Sequence, residues 1–258
     1  MRLGLAAALV IVLAGCGGGA SRPRVTQTET PDATTPSHRC ADAHGGTPIR
    51  FRTRDGIDLF GAVVGSGPIG AVLIHEYPRD SCGWWPYARY LANHGVHALL
   101  FDLRCFGASA CPGRGHATDD VAAAVAELRR RGARRIALVG ASMGGAIAVV
   151  AAARLRPAAV VDLSGERNTT GLTPGIDADA SAAAPHVHAP ALFAVARQDR
   201  YVSPADMRAI AHRLRSPTAR VIVLPAAAGH GWDMLFGTVR QWSPLAATVA
   251  RFIRHHAR

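Results

Sequence analysis

The residues best placed to do chemistry centre on Ser142, in Gly140-Ala141-Ser142-Met143-Gly144-Gly145. An apolar run from Arg135 to Gly140 precedes it and an Ala-rich stretch from Met143 to Leu155 follows it. Strand, G-x-S-x-G and helix in that order are the context of a nucleophile elbow, where small neighbours let the chain turn sharply around an exposed hydroxyl. The Met143 N–H then opens a helix and is free to donate to a developing oxyanion. The competing interpretation is a Gly-rich turn with a capping Ser. A Ser hydroxyl is a weak nucleophile until an imidazole takes its proton, and the imidazole needs a carboxylate to fix its tautomer. His230, between Gly229 and Gly231, suits a loop that presents an imidazole. Asp199 follows an apolar strand and precedes a helix signalled by Ser203-Pro204. Rival acids are Asp177 and Asp179 in a surface loop, Glu166, and Asp233 close to His230. No Cys-x-x-Cys or clustered His spacing points to a metal, and this chemistry calls for no cofactor.

The elements that must hold these residues follow from pattern. Ile49 to Thr53 and Ile57 to Val64 read as a hairpin around Arg54-Asp55-Gly56. Apolar runs then alternate with amphipathic ones. Strands are expected at 71–75, 96–102, 135–140, 158–163, 191–196 and 221–224. Helices are expected at 84–94, 118–131, 143–155, 204–214 and 245–255. Continuous apolar strands alternating with helices predict an α/β fold: a mostly parallel sheet, helices on both faces and an antiparallel N-terminal hairpin at its edge. In the short interval between Leu163 and Ala191, Thr169 to Ala184 is small and Pro/Ala/Asp-rich, so only a minimal cap is expected.

Over residues 49–258 this pattern resembles the α/β-hydrolase superfamily, in four blocks. Val72-Leu73-Ile74-His75-Glu76-Tyr77 is similar to its oxyanion strand and loop. Phe101 to Ser109 is similar to its Asp-x-Arg-Gly-x-Gly-x-Ser loop, with Cys105 where Gly is usual. Gly140 to Gly145 matches the elbow. Gln198 to Pro204 and Gly229 to Gly231 match the acid and histidine loops. The order Ser, Asp, His is the superfamily's own. The resemblance implies the α/β-hydrolase fold and a serine hydrolase with Ser142, Asp199 and His230 as triad. It also implies a second oxyanion donor from the backbone of Glu76 or Tyr77, beside Met143. His75-Glu76 is similar to the dienelactone-hydrolase branch, whose nucleophile is Cys where this chain has Ser142. The Glu76 side chain reads first as an outward-facing or Arg-paired structural carboxylate. Tyr77, Trp84, Trp85, Phe106, Tyr201 and Trp232 fall near strand ends, where they could line a pocket or simply pack. The Ser-Met-Gly-Gly elbow with a Tyr in the oxyanion loop is similar to secreted cutinase- and polyester-hydrolase-like enzymes.

The N-terminus stands apart. Arg2, an apolar run from Leu3 to Leu13 and the ending Leu13-Ala14-Gly15-Cys16 resemble a bacterial lipoprotein signal. The resemblance implies a signal peptide at 1–15, acylation of Cys16 and an extracytoplasmic, membrane-anchored protein. Residues 16–46 read as a lipid-anchored flexible tether, and 47–258 as the hydrolase domain. Cys40, Cys82, Cys105 and Cys111 remain, an even number that fits disulfides in an oxidising compartment. Three pairings are open; Cys105–Cys111 within one loop and Cys40–Cys82 are preferred.

The chain has 258 residues and a net charge of +11, and every cation is Arg. A coding bias accounts for that simply; attraction to anionic lipid or nucleic acid would require the charge gathered on one face. The densest run, Arg129 to Arg131 with Arg134 and Arg135, ends a predicted helix, and no nucleic-acid motif accompanies it. The expectation is a carboxylic-ester hydrolase acting on a small-molecule or polymer ester through an acyl-Ser intermediate. Peptidase, thioesterase, acyltransferase and perhydrolase chemistry stay open, as does a non-catalytic binding module on the same fold.

Overall fold

A computed structural model describes residues 40, 43–111, 115–172, 175–237 and 241–257. The signal expected at 1–15, the lipidation residue Cys16 and most of the tether lie outside the described residues. The end of the tether is fastened to the body. Cys40 is disulfide-bonded to Cys82, with Cα atoms 5.1 Å apart. The indole N–H of Trp85 donates to the His44 carbonyl at 3.1 Å. Packed structure therefore begins ahead of the boundary expected at residue 47.

The strands are β1 (Thr47–Arg52), β2 (Asp58–Val64), β3 (Ile69–Ile74), β4 (His97–Phe101), β5 (Arg135–Ala141), β6 (Ala159–Leu163), β7 (Ala191–Ala196) and β8 (Ala219–Leu224). The helices are α1 (Trp85–Asn93), α2 (Ala117–Arg130), α3 (Met143–Leu155), α4 (Ala180–Ala183), α5 (Pro204–Arg213) and α6 (Pro244–His256). One eight-stranded sheet runs β1-β2-β4-β3-β5-β6-β7-β8. β1 pairs antiparallel with β2, and β2 with β4; every pairing from β4 to β8 is parallel. This is the predicted architecture, hairpin included.

Both faces of the sheet are buried, which explains the unbroken apolar runs. Val72, Ile74 and Leu138 face α2, α3 and α5. Their neighbours Ala71, Leu73, Ala137 and Val139 face α1 and α6. Each fully buried branched side chain contributes about 1.5–3 kcal/mol, so the buried positions of the central strands are apolar except for His97 of β4 and Asp162 of β6. Helix starts follow local chemistry. Ser203 Oγ accepts from the Asp206 N–H at 3.1 Å while the Asp206 carboxylate takes the Ser203 hydroxyl at 2.7 Å, and Pro204 fills the first helical position. In α2, Asp119 and Asp120 lie in the first turn and Arg129 and Arg130 in the last, each complementing the helix dipole.

Between β6 and β7 the described residues form only α4 and a short 3-10 turn, Ala184–His186, in keeping with a minimal cap. No helix among the described residues is long and apolar enough to cross a membrane.

Candidate active site

In the parallel part of the sheet, Glu76, Ser142, Glu166, Asp199 and His230 all follow the C-terminal ends of strands, namely β3, β5, β6, β7 and β8. Ligands gather at this edge because loops diverge there above a rigid sheet. Ser142 has φ 50° and ψ −123°, a conformation that costs a non-Gly residue roughly 1–3 kcal/mol and persists only where its surroundings enforce it. Here the Ser142 N–H is held by the Leu163 carbonyl at 2.8 Å. A Cβ at Gly144 would collide with the carbonyls of Ile74 and His75, so the first turn of α3 rests directly on the end of β3. That contact brings the elbow and the loop after β3 together.

His230 Nδ1–H donates to both carboxylate oxygens of Asp199, at 2.8 and 2.9 Å. Asp199 Oδ1 also accepts from the N–H groups of Tyr201 (2.9 Å) and Val202 (3.2 Å). Burial opposes the Asp199 charge, yet the hydrogen bonds from His230 and the Tyr201 N–H outweigh it and hold the carboxyl below its usual range. Burial likewise opposes the imidazolium of His230, but Asp199, Glu76 and Glu166 raise its pKa overall. Two of the rival acids are engaged elsewhere. Asp179 caps α4 through the Ala182 N–H, and Asp177 accepts from the Gly171 N–H.

Glu166 has a role that sequence spacing did not expose. Ser142 Oγ donates to Glu166 Oε1 at 2.9 Å, and no hydrogen bond joins Ser142 to His230 in this conformation. Only the crossing of β5 beside β6 brings the two together; a glutamate past an apolar strand was the sole available signal.

The backbone N–H groups of Met143, Glu76 and Tyr77 find no acceptor among the described residues and are therefore free to bind an oxyanion. His75 is structural: its Nε2 accepts from the Leu103 N–H at 3.1 Å, and its Nδ1 donates to the Glu76 carbonyl at 3.0 Å. The Glu76 side chain is neither outward-facing nor Arg-paired, contrary to expectation. It is 9% exposed, and its Oε2 reaches no donor among the described residues. It occupies the space that a Cβ on Gly231 would fill. Burial, aided by the nearby Asp233 charge, pushes its pKa up to about 7. Beneath the elbow, Asp162 is fully buried, accepts from the Gly165 N–H at 2.6 Å, and is likewise pushed up to about 7 by burial.

Glu76, Ser142, Glu166 and His230 border a cleft of about 480 Å3. Tyr77 and Tyr201, 45% and 70% exposed, stand on its walls. Trp84, Trp85 and Trp232 belong instead to the core on the α1 and α6 side, and Phe106 packs edge-on against the His75 ring at 4.9 Å. The loop after β4 is braced by the Cys105–Cys111 disulfide and by Arg104, which is 2% exposed and donates to Asp120 (2.7 Å) and Asp55 (3.0 Å). Cys105 itself has φ 66°, the backbone region for which Gly is the usual choice. No group of three or more His, Cys, Asp or Glu able to hold a metal occurs among the described residues.

Comparison with known proteins fits this geometry. Residues 71–164 match the family described as serine aminopeptidase, S33. A Synechocystis protein provisionally named a non-heme chloroperoxidase is 37% identical over 90 residues, 34% of this chain and 32% of the relative. The chain thus matches about a third of that relative's length. An esterase of Pyrococcus furiosus superposes with a TM-score of 0.68 at 17% identity, covering 81% of this chain and 90% of that one. A thermophilic esterase of Thermogutta terrifontis gives 0.64 at 20% identity over 82% and 100%. An Exiguobacterium antarcticum esterase gives 0.65 at 14% identity over 80% and 99%. At such identities the likeness concerns the fold.

Proposed function

We propose that this chain, an α/β-hydrolase by fold, is an exported serine hydrolase that cleaves carboxylic esters through an acyl-Ser142 intermediate. The observation that carries this reading is the Asp199–His230 pair facing a serine in the strained elbow conformation. Asp199 holds the imidazole with its proton on Nδ1, leaving Nε2 to accept. Rotation about χ1 carries the Ser142 hydroxyl from Glu166 to His230 Nε2. As Oγ attacks the ester carbonyl, its proton passes to Nε2. The oxyanion is received by the N–H of Met143 and that of Glu76 or Tyr77. His230 returns the proton to the leaving alkoxide, and a water repeats the sequence to free the acid. A non-catalytic binding module would have no use for backbone strain at Ser142.

The test uses p-nitrophenyl esters of graded acyl length together with a fluorophosphonate probe. Hydrolysis and labelling should both occur, and Ser142→Ala should abolish both. Absence of both from the unaltered protein would end the serine-hydrolase reading.

A second reading concerns amide substrates. Glu166 and Glu76 flank Ser142 with carboxylate oxygens lacking donors, the kind of group that receives a substrate ammonium. The matched family's name, serine aminopeptidase, points the same way. Aminoacyl p-nitroanilides cleaved faster than their N-acetylated counterparts would favour it.

Export rests on Cys16 and its preceding apolar run, with cleavage before Cys16 and acylation of its sulfur. The Cys40–Cys82 and Cys105–Cys111 disulfides suit an oxidising compartment. Cys16→Ser should release the protein from the membrane fraction; unaltered partitioning would defeat the lipid anchor.

A further inference from the structure

The end of the sheet opposite the cleft carries a second, chemically different surface. Here lie the N-terminal ends of β5, β6 and β7 and the C-terminal ends of α2, α3 and α6. Arg129, Arg134, Arg135 and Arg156 converge on a cavity of about 180 Å3 whose floor is apolar, formed in part by Ile136 and Leu155. A broader cleft adjoins it, sharing Arg135 and Arg156 and adding His188, His255 and His256. Among the described residues no carboxylate lines either one. Among the described residues, Arg129, Arg134 and Arg156 have no ion-pair partner, and the Arg135 side chain donates only to the His256 carbonyl, at 3.0 Å. Burial, with His255 beside it, lowers the pKa of His256; the four guanidinium groups stay charged at neutral pH.

Four unpaired guanidinium groups at one end of a domain repel one another. The helix C-termini beneath them offset this only through partial charges that fade within a turn. Guanidinium is also the side chain best shaped to bind phosphate oxygens two at a time. An apolar floor under the charged rim matches a glycerophosphate, whose phosphate is bordered by hydrocarbon. Among the described residues no Phe, Tyr or Trp lines either cleft, and the rings there are the imidazoles of His188, His255 and His256, so the large stacking platforms typical of single-stranded nucleic-acid sites are missing.

We propose that this end of the molecule docks on a bilayer rich in anionic phospholipid. Arg134, Arg135 and Arg156 receive head-group phosphates, and the catalytic cleft at the opposite sheet edge is turned away from the membrane. The inference is independent of the ester-hydrolase reading, because no residue is shared between the two ends.

The test is sedimentation of the full-length chain with vesicles of phosphatidylcholine alone or with one quarter phosphatidylglycerol. Any contribution of the apolar N-terminal segment is common to both, so the increment due to phosphatidylglycerol is the readout. That increment should be large at low salt and vanish at high salt. Each arginine near an anionic surface is worth about five-fold, so R134S/R156N should lower it about twenty-five-fold. Asn is chosen at 156 because φ there is 47°, a conformation Asn tolerates. A control pair at the cleft end, R197S/R208S, removes equal charge from exposed positions beyond β7 and on α5. Circular dichroism should show both variants folded. Equal sedimentation with the two vesicle types would overturn the proposal, and so would equal losses in the two variants. Binding of inorganic phosphate or duplex DNA without preference for phosphatidylglycerol would also overturn it.

Discussion

The two edges of the central sheet are built from the same alternation of strands and helices yet present opposite chemistry. At the C-terminal edge, Glu76, Glu166 and Asp233 face the cleft with one arginine, Arg79, in a chain whose net charge is +11. At the N-terminal edge, Arg129, Arg134, Arg135 and Arg156 meet in a cavity that, among the described residues, no carboxylate lines. Net charge is an average over two surfaces of opposite sign, so composition alone says little about what either attracts. The edges also differ in how tightly their parts are held. Hydrogen bonds tie Asp199 to His230 and Ser142 to Glu166 beside the cleft, whereas the basic edge consists of exposed arginine side chains at the ends of α2 and α3 and the start of β5.

Changes at one edge should leave the other untouched, and the largest effect is expected in the cleft. Asp199→Asn leaves the His230 contact in shape but favours the wrong tautomer, and should lower kcat about ten-thousand-fold with vesicle sedimentation unchanged. A loss of only a few-fold would mean that another acid serves His230. Next, the double change C40S/C82S opens a covalent link across 42 residues and should destabilise the fold by about 2–4 kcal/mol in chemical denaturation. The double change C105S/C111S, across 6 residues, should cost less. The reverse ranking would show that the loop after β4 needs its bridge more than the N-terminal extension does.

Smaller effects concern the buried acids. Asp162 binds its proton more tightly folded than unfolded, so between its ordinary pKa and about 7 stability falls as pH rises. Asp162→Asn cannot ionise, and its melting temperature should lose that decline, exceeding the unaltered protein's at pH 8 more than at pH 4. Parallel curves for the two proteins would show that Asp162 is already charged in the fold. The smallest change is expected for Glu76→Gln. His230 must be neutral to act as base, so activity falls as pH drops through its raised pKa, and the Glu76 charge contributes to that raising. The acid limb of kcat/KM should therefore move to lower pH, as a property of the coupled pair. A limb that stays in place would remove Glu76 from the electrostatics of the base.

Much of the fold was legible in residue order. Period-free apolar strands, Ser203-Pro204 at a helix start and the Arg54-Asp55-Gly56 turn announce themselves locally, because capping and turn formation involve neighbours in the chain. Ser142, His230 and Asp199 stood out as candidates for a similar reason: each sits in a short loop whose composition betrays a demanding conformation. The Ser142–Glu166 contact, the inward Glu76 carboxyl and the gathering of Arg129, Arg134 and Arg156 were not legible. Each depends on which strands neighbour which, and on the space left by a glycine 155 positions away in the case of Glu76 and Gly231.

By itself the sequence determined the alternation of elements, the candidate nucleophile with its base and acid, and an even set of cysteines. Tertiary structure decided the rest: which carboxylate holds which partner, which aromatic residues face solvent, and on which surface the arginines collect. Hydrogen bonds within a turn and burial along a strand are encoded over a few residues, whereas the field at a site sums charges brought close from distant parts of the chain, and only the folded arrangement fixes those distances.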